Sequence, residues 1–216
     1  MSYFTVKNEA SDQFEEKKSV FIGHAKRVYS EEEARKFIDK IKNEHKEARH
    51  NVYAYVIGEN MGIQRYSDDG EPQGTGGVPS LEVIKRKGIT DVAIVVTRYF
   101  GGILLGTGGL ARAYSKGTSI AIEKAEVVEK VKGVQMHITI DYDLLGKVQY
   151  VCGQNQWHIE DVEYTDKVCL RILSPLDSVE KVKAKIVEAT SGKSEFKLGN
   201  KKYYFKLENR LFEEEL

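Results

Sequence analysis

The run Asp91–Tyr114, DVAIVVTRYFGGILLGTGGLARAY, sets the reading of the whole chain. Val92–Thr97 is a near-continuous apolar run rich in β-branched residues, the pattern of a strand covered on both faces, and it is read as the central strand of a sheet. After Arg98, Tyr99 and Phe100 the chain breaks into five glycines (Gly101, Gly102, Gly106, Gly108 and Gly109), with Ile103, Leu104, Leu105 and Thr107 among them. Glycine admits positive φ and close approach of a backbone or ligand, and Leu110, Ala111, Ala113 and Tyr114 then restart a helical pattern. Strand, glycine loop and helix N-terminus together present free backbone N–H groups to an anion. Arg98, Arg112 and Lys116 stand around that loop and would add charge.

Working upstream, Ser19–Val28 has strand composition. Ser30 with Glu33 forms a capping box ahead of Ala34, Phe37, Ile38 and Ile41, which share one helix face. Asn51–Ile57 alternates as a strand, Gly58–Gly62 is a turn, and Ile63–Tyr66 is its hairpin partner. Ser67–Pro79 has no periodicity and carries Ser67, Asp68, Asp69 and Glu71, so it reads as a long polar loop of the kind that is often functional. Pro79 and Ser80 open a short helix that ends at Gly88, with Lys85, Arg86 and Lys87 complementing its C-terminal dipole. The helix after the glycine loop, Gly109–Ala125, would bury Leu110, Tyr114, Gly117, Ala121 and Ala125.

From Gly133 the pattern resets. Val134–Asp141 alternates, Leu144, Leu145, Val148, Val151 and Cys152 give a helix face, and Trp157–Tyr164 with Lys167–Leu173 form a hairpin about Thr165 and Asp166. Val179, Val182, Ile186 and Ala189 mark a helix opened by Ser174, Pro175 and Asp177 and stopped at Gly192, and Ser194–Leu207 supplies a last strand. This βαββαβ order is the ferredoxin-like pattern. Two domains are expected, residues 1–132 and 133–216, joined through Glu129–Lys132. The fold class is α+β, with an N-terminal α/β sandwich and a ferredoxin-like C-terminal domain.

Length and composition agree: 216 residues with 41% hydrophobic content suit one large core or two small ones. No apolar run approaches the roughly 18 residues of a membrane span, and the N-terminus does not read as a signal peptide, so the expected location is cytoplasmic. Charge is balanced, 33 Lys and Arg against 33 Asp and Glu, so nucleic-acid binding would rest on local patches and no DNA specificity or membrane binding is indicated. Cys152 and Cys169 lack disulfide or zinc spacing and read as small buried hydrophobes.

The loop GGILLGTGG lacks the terminal Gly-Lys-Ser/Thr of a P-loop and is not a dinucleotide-binding GxGxxG. It reads either as a phosphate site, for a nucleotide or an RNA backbone, or as tight packing of loop on helix. Asp68, Asp69 and Glu71 could hold magnesium or act as acid and base, although Asp-Gly and Glu-Pro are also ordinary turn chemistry. Arg49 and His50 precede a strand, and no Ser/His/Asp or Cys/His set assembles from sequence proximity.

Three stretches in order, ARHNVYAYV (Ala48–Val56), YSDDGEPQGTGGVP (Tyr66–Pro79) and VVTRYFGGILLGTGGLARAY (Val95–Tyr114), resemble the Impact family, in its bacterial YigZ/YvyE type. The resemblance implies an N-terminal domain similar to domain 2 of ribosomal protein S5 and to domain IV of elongation factor G. It also implies a C-terminal domain similar to the last domain of that factor. It further implies a translation-linked regulatory role through RNA or the ribosome, with no settled catalytic activity. Eukaryotic relatives regulate a stress kinase by competing for its activator, and they carry an N-terminal RWD domain for which this chain has no room before Ser19, so regulation through that activator is not expected here. The S5-like fold also occurs in small-molecule kinases whose glycine loop GTGGLA loosely resembles.

Three functions therefore remain in view. The first is an RNA- or ribosome-binding protein using Arg98, Tyr99, Gly101, Gly102, Gly106, Thr107, Gly108, Gly109, Arg112 and Lys116. The second is an enzyme or switch for a small phosphorylated ligand with magnesium as the one cofactor in view, and the third is a protein interaction module with a partner in the translation apparatus.

Overall fold

A computed structural model of the chain describes residues 2–214. It divides into two units, Tyr3–Val128 and the chain from Glu129 onward with the extreme N-terminus. In chain order the first unit holds β1 Ser2–Val6, β2 Ala10–Glu16, β3 Ser19–Arg27, α1 Glu31–Glu44, β4 His50–Ile57, β5 Ile63–Ser67, α2 Gly77–Arg86, β6 Val92–Tyr99 and α3 Thr107–Ala125. Its main sheet runs β2-β3-β6-β4-β5 with every neighbour antiparallel.

β6 is the middle strand, and its alternation explains why nearly every residue in it is apolar. Val92, Ile94 and Val96 pack in the core that includes α2 and α3, while Ala93 and Val95 pack with Phe37, Ile38 and Ile41 of α1. Helices therefore cover both faces of the sheet. α1 carries its cap as read: Ser30 Oγ accepts from Glu33 N at 3.1 Å, and the Glu33 carboxylate reaches back to Tyr29 N at 2.8 Å. α2 starts at Gly77, two residues ahead of the expected Pro79, because its cap comes from outside the helix: Asp68 Oδ1 accepts from Gly76 N and Gly77 N at 2.9 and 2.8 Å. α3 likewise starts at Thr107 rather than Gly109, after Gly106 at φ +71°.

α3 lies directly on β3. A Cβ on Gly23 would stand 2.1 Å from the Gly117 carbonyl oxygen, so glycine is required there by the approach of helix to strand, and a Cβ on Gly117 would stand 2.8 Å from Val96 Cγ1 of β6. Strands β1 and β2 were not read from the sequence; β2 is an edge strand with little buried, and edge strands show weak patterning.

The second unit holds β7 Val127–Ile140, a 3₁₀ turn Tyr142–Leu144, α4 Leu145–Gln154, β8 Ile159–Tyr164, β9 Val168–Pro175, α5 Val179–Ala189, β10 Ser194–Leu198, β11 Lys202–Leu207 and β12 Arg210–Phe212. The order β10-β7-β9-β8, all antiparallel, with α4 and α5 on one face, is the ferredoxin-like arrangement. Residues Glu129–Lys132, read as a linker, are part of the continuous strand β7. The single last strand expected over Ser194–Leu207 is two, β10 and β11. Both pair with β7, but between Leu198↔Met136 and Lys202↔Gly133 one strand advances four residues and the other three, and residues 199–201 lie outside the ladder. Cys152 is buried as read, whereas Cys169 is half-buried, 4.0 Å from His137 Nδ1. No helix among the described residues is long and apolar enough to cross a membrane.

On the α1 side of the first sheet, His24 is 7% exposed, its Nε2 has no hydrogen-bond partner, and its ring centroid lies 5.1 Å from that of His45. Burial, reinforced by His45 and offset in part by Glu9, lowers its pKa from 6.5 to about 4. The unfolded chain then binds the extra proton between these values, so this contribution is complete above about pH 6.5 and is lost as pH falls toward 4. We expect the urea midpoint of the wild type to fall over that window by an amount worth about 1–3 kcal/mol more than that of His24→Gln. Parallel pH profiles for the two proteins would refute it.

Candidate functional site

The glycine loop and the acidic loop, separate in sequence, meet in one cleft of about 470 Å³, lined by Arg49, His50, Gly70, Glu71, Pro72, Arg98, Phe100 and the Leu104–Thr107 segment with Leu110. β4 and β6 are neighbours, so His50 and Arg98 stand opposite each other in register at the same end of the sheet.

The cleft wall is an internal ion pair. Arg98, expected from the sequence as a phosphate ligand, is 5% exposed, and its Nη1 donates to Glu71 Oε1 at 2.6 Å. Tyr114 Oη donates to the same oxygen at 2.7 Å. Burial first, and the Glu71 carboxylate after it, push the Tyr114 hydroxyl far above the ordinary tyrosine range, so it stays a donor. The guanidinium lies 5.5 Å from the Phe21 ring centroid and 5.3 Å from that of Phe100. Arg98 Nη1 and the Glu71 carboxylate are thus engaged by the first unit's own residues, while Arg98 Nε is buried without a hydrogen-bond partner.

His50 is oriented by the turn beneath it. Its Nδ1 lies 2.9 Å from the Asp69 carbonyl oxygen, which can only accept, so Nδ1 carries the proton and Nε2 is the basic nitrogen, 3.9 Å from Glu71 Oε1. Asp69 takes φ +45°, unfavourable for a residue other than glycine, and is fixed there by its carboxylate, which accepts from Lys42 Nζ at 2.6 Å and Asn51 N at 2.7 Å. Asp68 caps α2 and also accepts from Gly74 N; burial raises its pKa, but the amides of Gly74, Gly77 and Gly76 outweigh that and leave it below the usual range. The three carboxylates of the acidic loop are therefore committed to different protein groups, and among the described residues no cluster of three or more His, Cys, Asp or Glu is arranged for a metal ion.

The mouth of the cleft is different in kind. α3 begins there without a side-chain cap and without an acidic residue in its first turn, and Gly106, Thr107 and Gly108 are exposed. Its first amides are open, in contrast to those of α1 and α2. Arg49 is exposed beside them and has no ion-pair partner among the described residues. Arg112 and Lys116 are also exposed, on an adjoining hollow with Phe14, Lys17 and Gly109, where Lys116 Nζ sits 4.2 Å from the Phe14 ring centroid. Tyr99 lies apart from both: β6 alternation turns it to the α1 face, where its hydroxyl meets His45 Nδ1 at 3.0 Å. Gly101 packs on the β2–β3 turn, since a Cβ there would stand 2.0 Å from the Lys18 carbonyl. Gly102 is exposed at φ +82°. Sequence reading missed Tyr114 as a polar partner and Lys17 and Lys42 as neighbours, since only the strand order brings them in.

The chain matches the Impact N-terminal domain over residues 17–122 and the domain of unknown function DUF1949 over residues 138–193. It is 44% identical over 214 residues to IMPACT family member YvyE of Bacillus subtilis, covering 99% of each chain. The chain belongs to the IMPACT family. It is also 35% identical to IMPACT family member YigZ of Escherichia coli over 178 residues, 82% of this chain and 87% of that one. A solved crystal structure of a hypothetical protein is 32% identical, covers 90% of this chain and 96% of that one, and superposes with a TM-score of 0.59. The two domain matches fall within the two units of this IMPACT family chain, one in each.

Proposed function

We propose that the chain is a translation-linked regulatory protein that holds an RNA backbone, on its own or in the ribosome, at the mouth of the first unit's cleft. The observation that carries this reading is the open N-terminus of α3, with its exposed glycines and the uncommitted cation of Arg49 beside it. Arg112, Lys116 and Lys17 extend the positive rim. Phe100, Ile103 and the 82% exposed Leu104 give apolar surface against which unstacked bases can lie. The Arg98–Glu71–Tyr114 cluster acts as the rigid wall that fixes the loop, and binding of phosphate falls to the exposed cations and amides. The resemblance to S5-like domains supports the same partner class.

Filter binding of ribosomal RNA fragments at 50 and 200 mM salt would test this, using Arg49→Gln and Arg112→Gln. Both side chains are exposed, so stability should hold while affinity drops about tenfold and the salt slope falls by about one for each phosphate no longer neutralised. Unchanged affinity in both folded variants would sink the reading.

A second reading, an enzyme or switch for a small phosphorylated ligand with magnesium, draws on His50, whose fixed tautomer leaves Nε2 as a base in the cleft. A nucleotide-dependent and magnesium-dependent thermal shift that His50→Gln removes would favour it over RNA binding.

A further inference from the structure

A cleft of about 650 Å³ is formed within the second unit, away from the residues of the candidate site above, and its size falls in the range of small-molecule sites. We propose that it binds an uncharged nucleoside, stacked on Trp157 and read on its base edge by Glu160 and Arg210.

The aromatic wall is built into place. Trp157 follows Gln156, which takes φ +57° where the end of α4 would favour glycine, and the turn closes by Trp157 N donating to Cys152 O at 2.9 Å. Gln156 is used across the rim: its Oε1 accepts from Asn209 Nδ2 at 2.7 Å, tying the α4–β8 turn to the β11–β12 turn. That second turn also contains a strained residue, Glu208 at φ +53°. Two turns carrying non-glycine residues at positive φ are thus joined by a side-chain amide over one cleft, with a half-buried tryptophan on its wall.

The polar pair beside it is incomplete. Arg210 Nη2 meets Glu160 Oε2 at 3.1 Å, and the guanidinium sits 4.6 Å from the Phe212 ring centroid. Yet Glu160 Oε1 and Arg210 Nε, both buried, have no hydrogen-bond partner. Buried polar groups are nearly always paired, so a leftover acceptor on one residue and a leftover donor on its neighbour call for an occupant offering the reverse. A nucleobase edge does so, with an N–H beside a ring nitrogen or carbonyl. Both residues line the cleft.

Charge selects the nucleoside over the nucleotide. Lys206 and Arg210 are neutralised by Glu129 and Glu160 at 3.3 and 3.1 Å, and Lys132 is balanced in number by Asp177, leaving no surplus cation for a phosphate. The site shares no residue with the proposed RNA surface, so each can fail alone.

Trp157 is the chain's one tryptophan, so its fluorescence reports this cleft directly. The full chain would be titrated with adenosine, guanosine, cytidine and uridine, and with their 5′-monophosphates and inorganic phosphate as contrasts. At least one nucleoside should give a saturable change, its monophosphate should bind no more tightly, and phosphate alone should do nothing. Glu160→Gln should weaken binding about tenfold, the effect of one impaired hydrogen bond. If that variant unfolds, Trp157→Phe, followed by ligand-observed NMR, should show a similar loss with the thermal midpoint kept. Absence of a saturable change with all four nucleosides, equal affinity in both folded variants, or the same response to phosphate alone would overturn the proposal.

Discussion

Glu71→Ala loses about 3–5 kcal/mol of stability, a large share of what a domain of this size has to spare. Glu71 is the shared acceptor of Arg98 Nη1 and Tyr114 Oη, and the side chains of Glu71 and Arg98 are 4% and 6% exposed. Removing the carboxylate leaves a guanidinium between two phenyl rings with no counter-charge and a buried hydroxyl with no acceptor, so the cost is that of an uncompensated charge and not of a surface salt bridge. The double variant Arg98→Met/Glu71→Met removes both charges at once and should recover the part of the loss due to the unpaired charge, the Tyr114 hydroxyl still lacking its acceptor. Guanidinium midpoints of the three proteins decide the matter. A Glu71→Ala midpoint equal to that of the wild type would show that the pair is hydrated and that Arg98 is free for a ligand after all.

Gly23→Ala is the second large effect, about 3 kcal/mol, at the upper end of overpacking losses. The added methyl would stand 2.1 Å from the Gly117 carbonyl oxygen and 3.0 Å from Ala121 Cβ, and the first of these is backbone that cannot rotate away. α3 would have to lift from β3, disturbing the helix whose N-terminus edges the cleft. Gly146→Ala and Gly153→Ala in α4 are the controls: nothing lies within 4 Å of a Cβ at either position, and alanine is the better helix former, so each should stabilise by about 0.5–1 kcal/mol. Should Gly23→Ala unfold with the controls rather than well below them, the close approach of helix to strand is absent.

The parts of this fold that were legible in the sequence are those set by local chemistry. β6 announced its two covered faces by a run of apolar residues, α1 announced its start by Ser30 and Glu33, and the hairpin β8–β9 turned where Thr165 and Asp166 stand. β2 was not legible because an edge strand buries little and so alternates little. The break between β10 and β11 was not, because both halves pair with the same long strand β7 and the shift in register is set by that partner. The cleft follows the same division. The open helix N-terminus could be read from its glycines, but the fate of Arg98 could not. Its charge is neutralised by a carboxylate 27 positions away, across a turn whose path depends on Asp68 and Asp69. Sequence adjacency grouped Arg98 with Arg112 as equals, and burial separates them.

The pinned carboxylate of Asp69 has a consequence for the chemical ageing of the chain. An Asp-Gly bond in a flexible peptide isomerises readily: the glycine nitrogen attacks the aspartate side chain, a cyclic imide forms, and hydrolysis leaves a β-linked backbone. Asp69–Gly70 is such a bond, but here one carboxylate oxygen is held by Lys42 and the other by the amide of Asn51. Cyclisation would have to break both hydrogen bonds and discharge an anion already paired with a cation. The native fold therefore acts as the preservative of its own most labile linkage, and the damage accumulates in molecules that open, which makes isoaspartate at position 69 a chemical record of how often this turn has come undone.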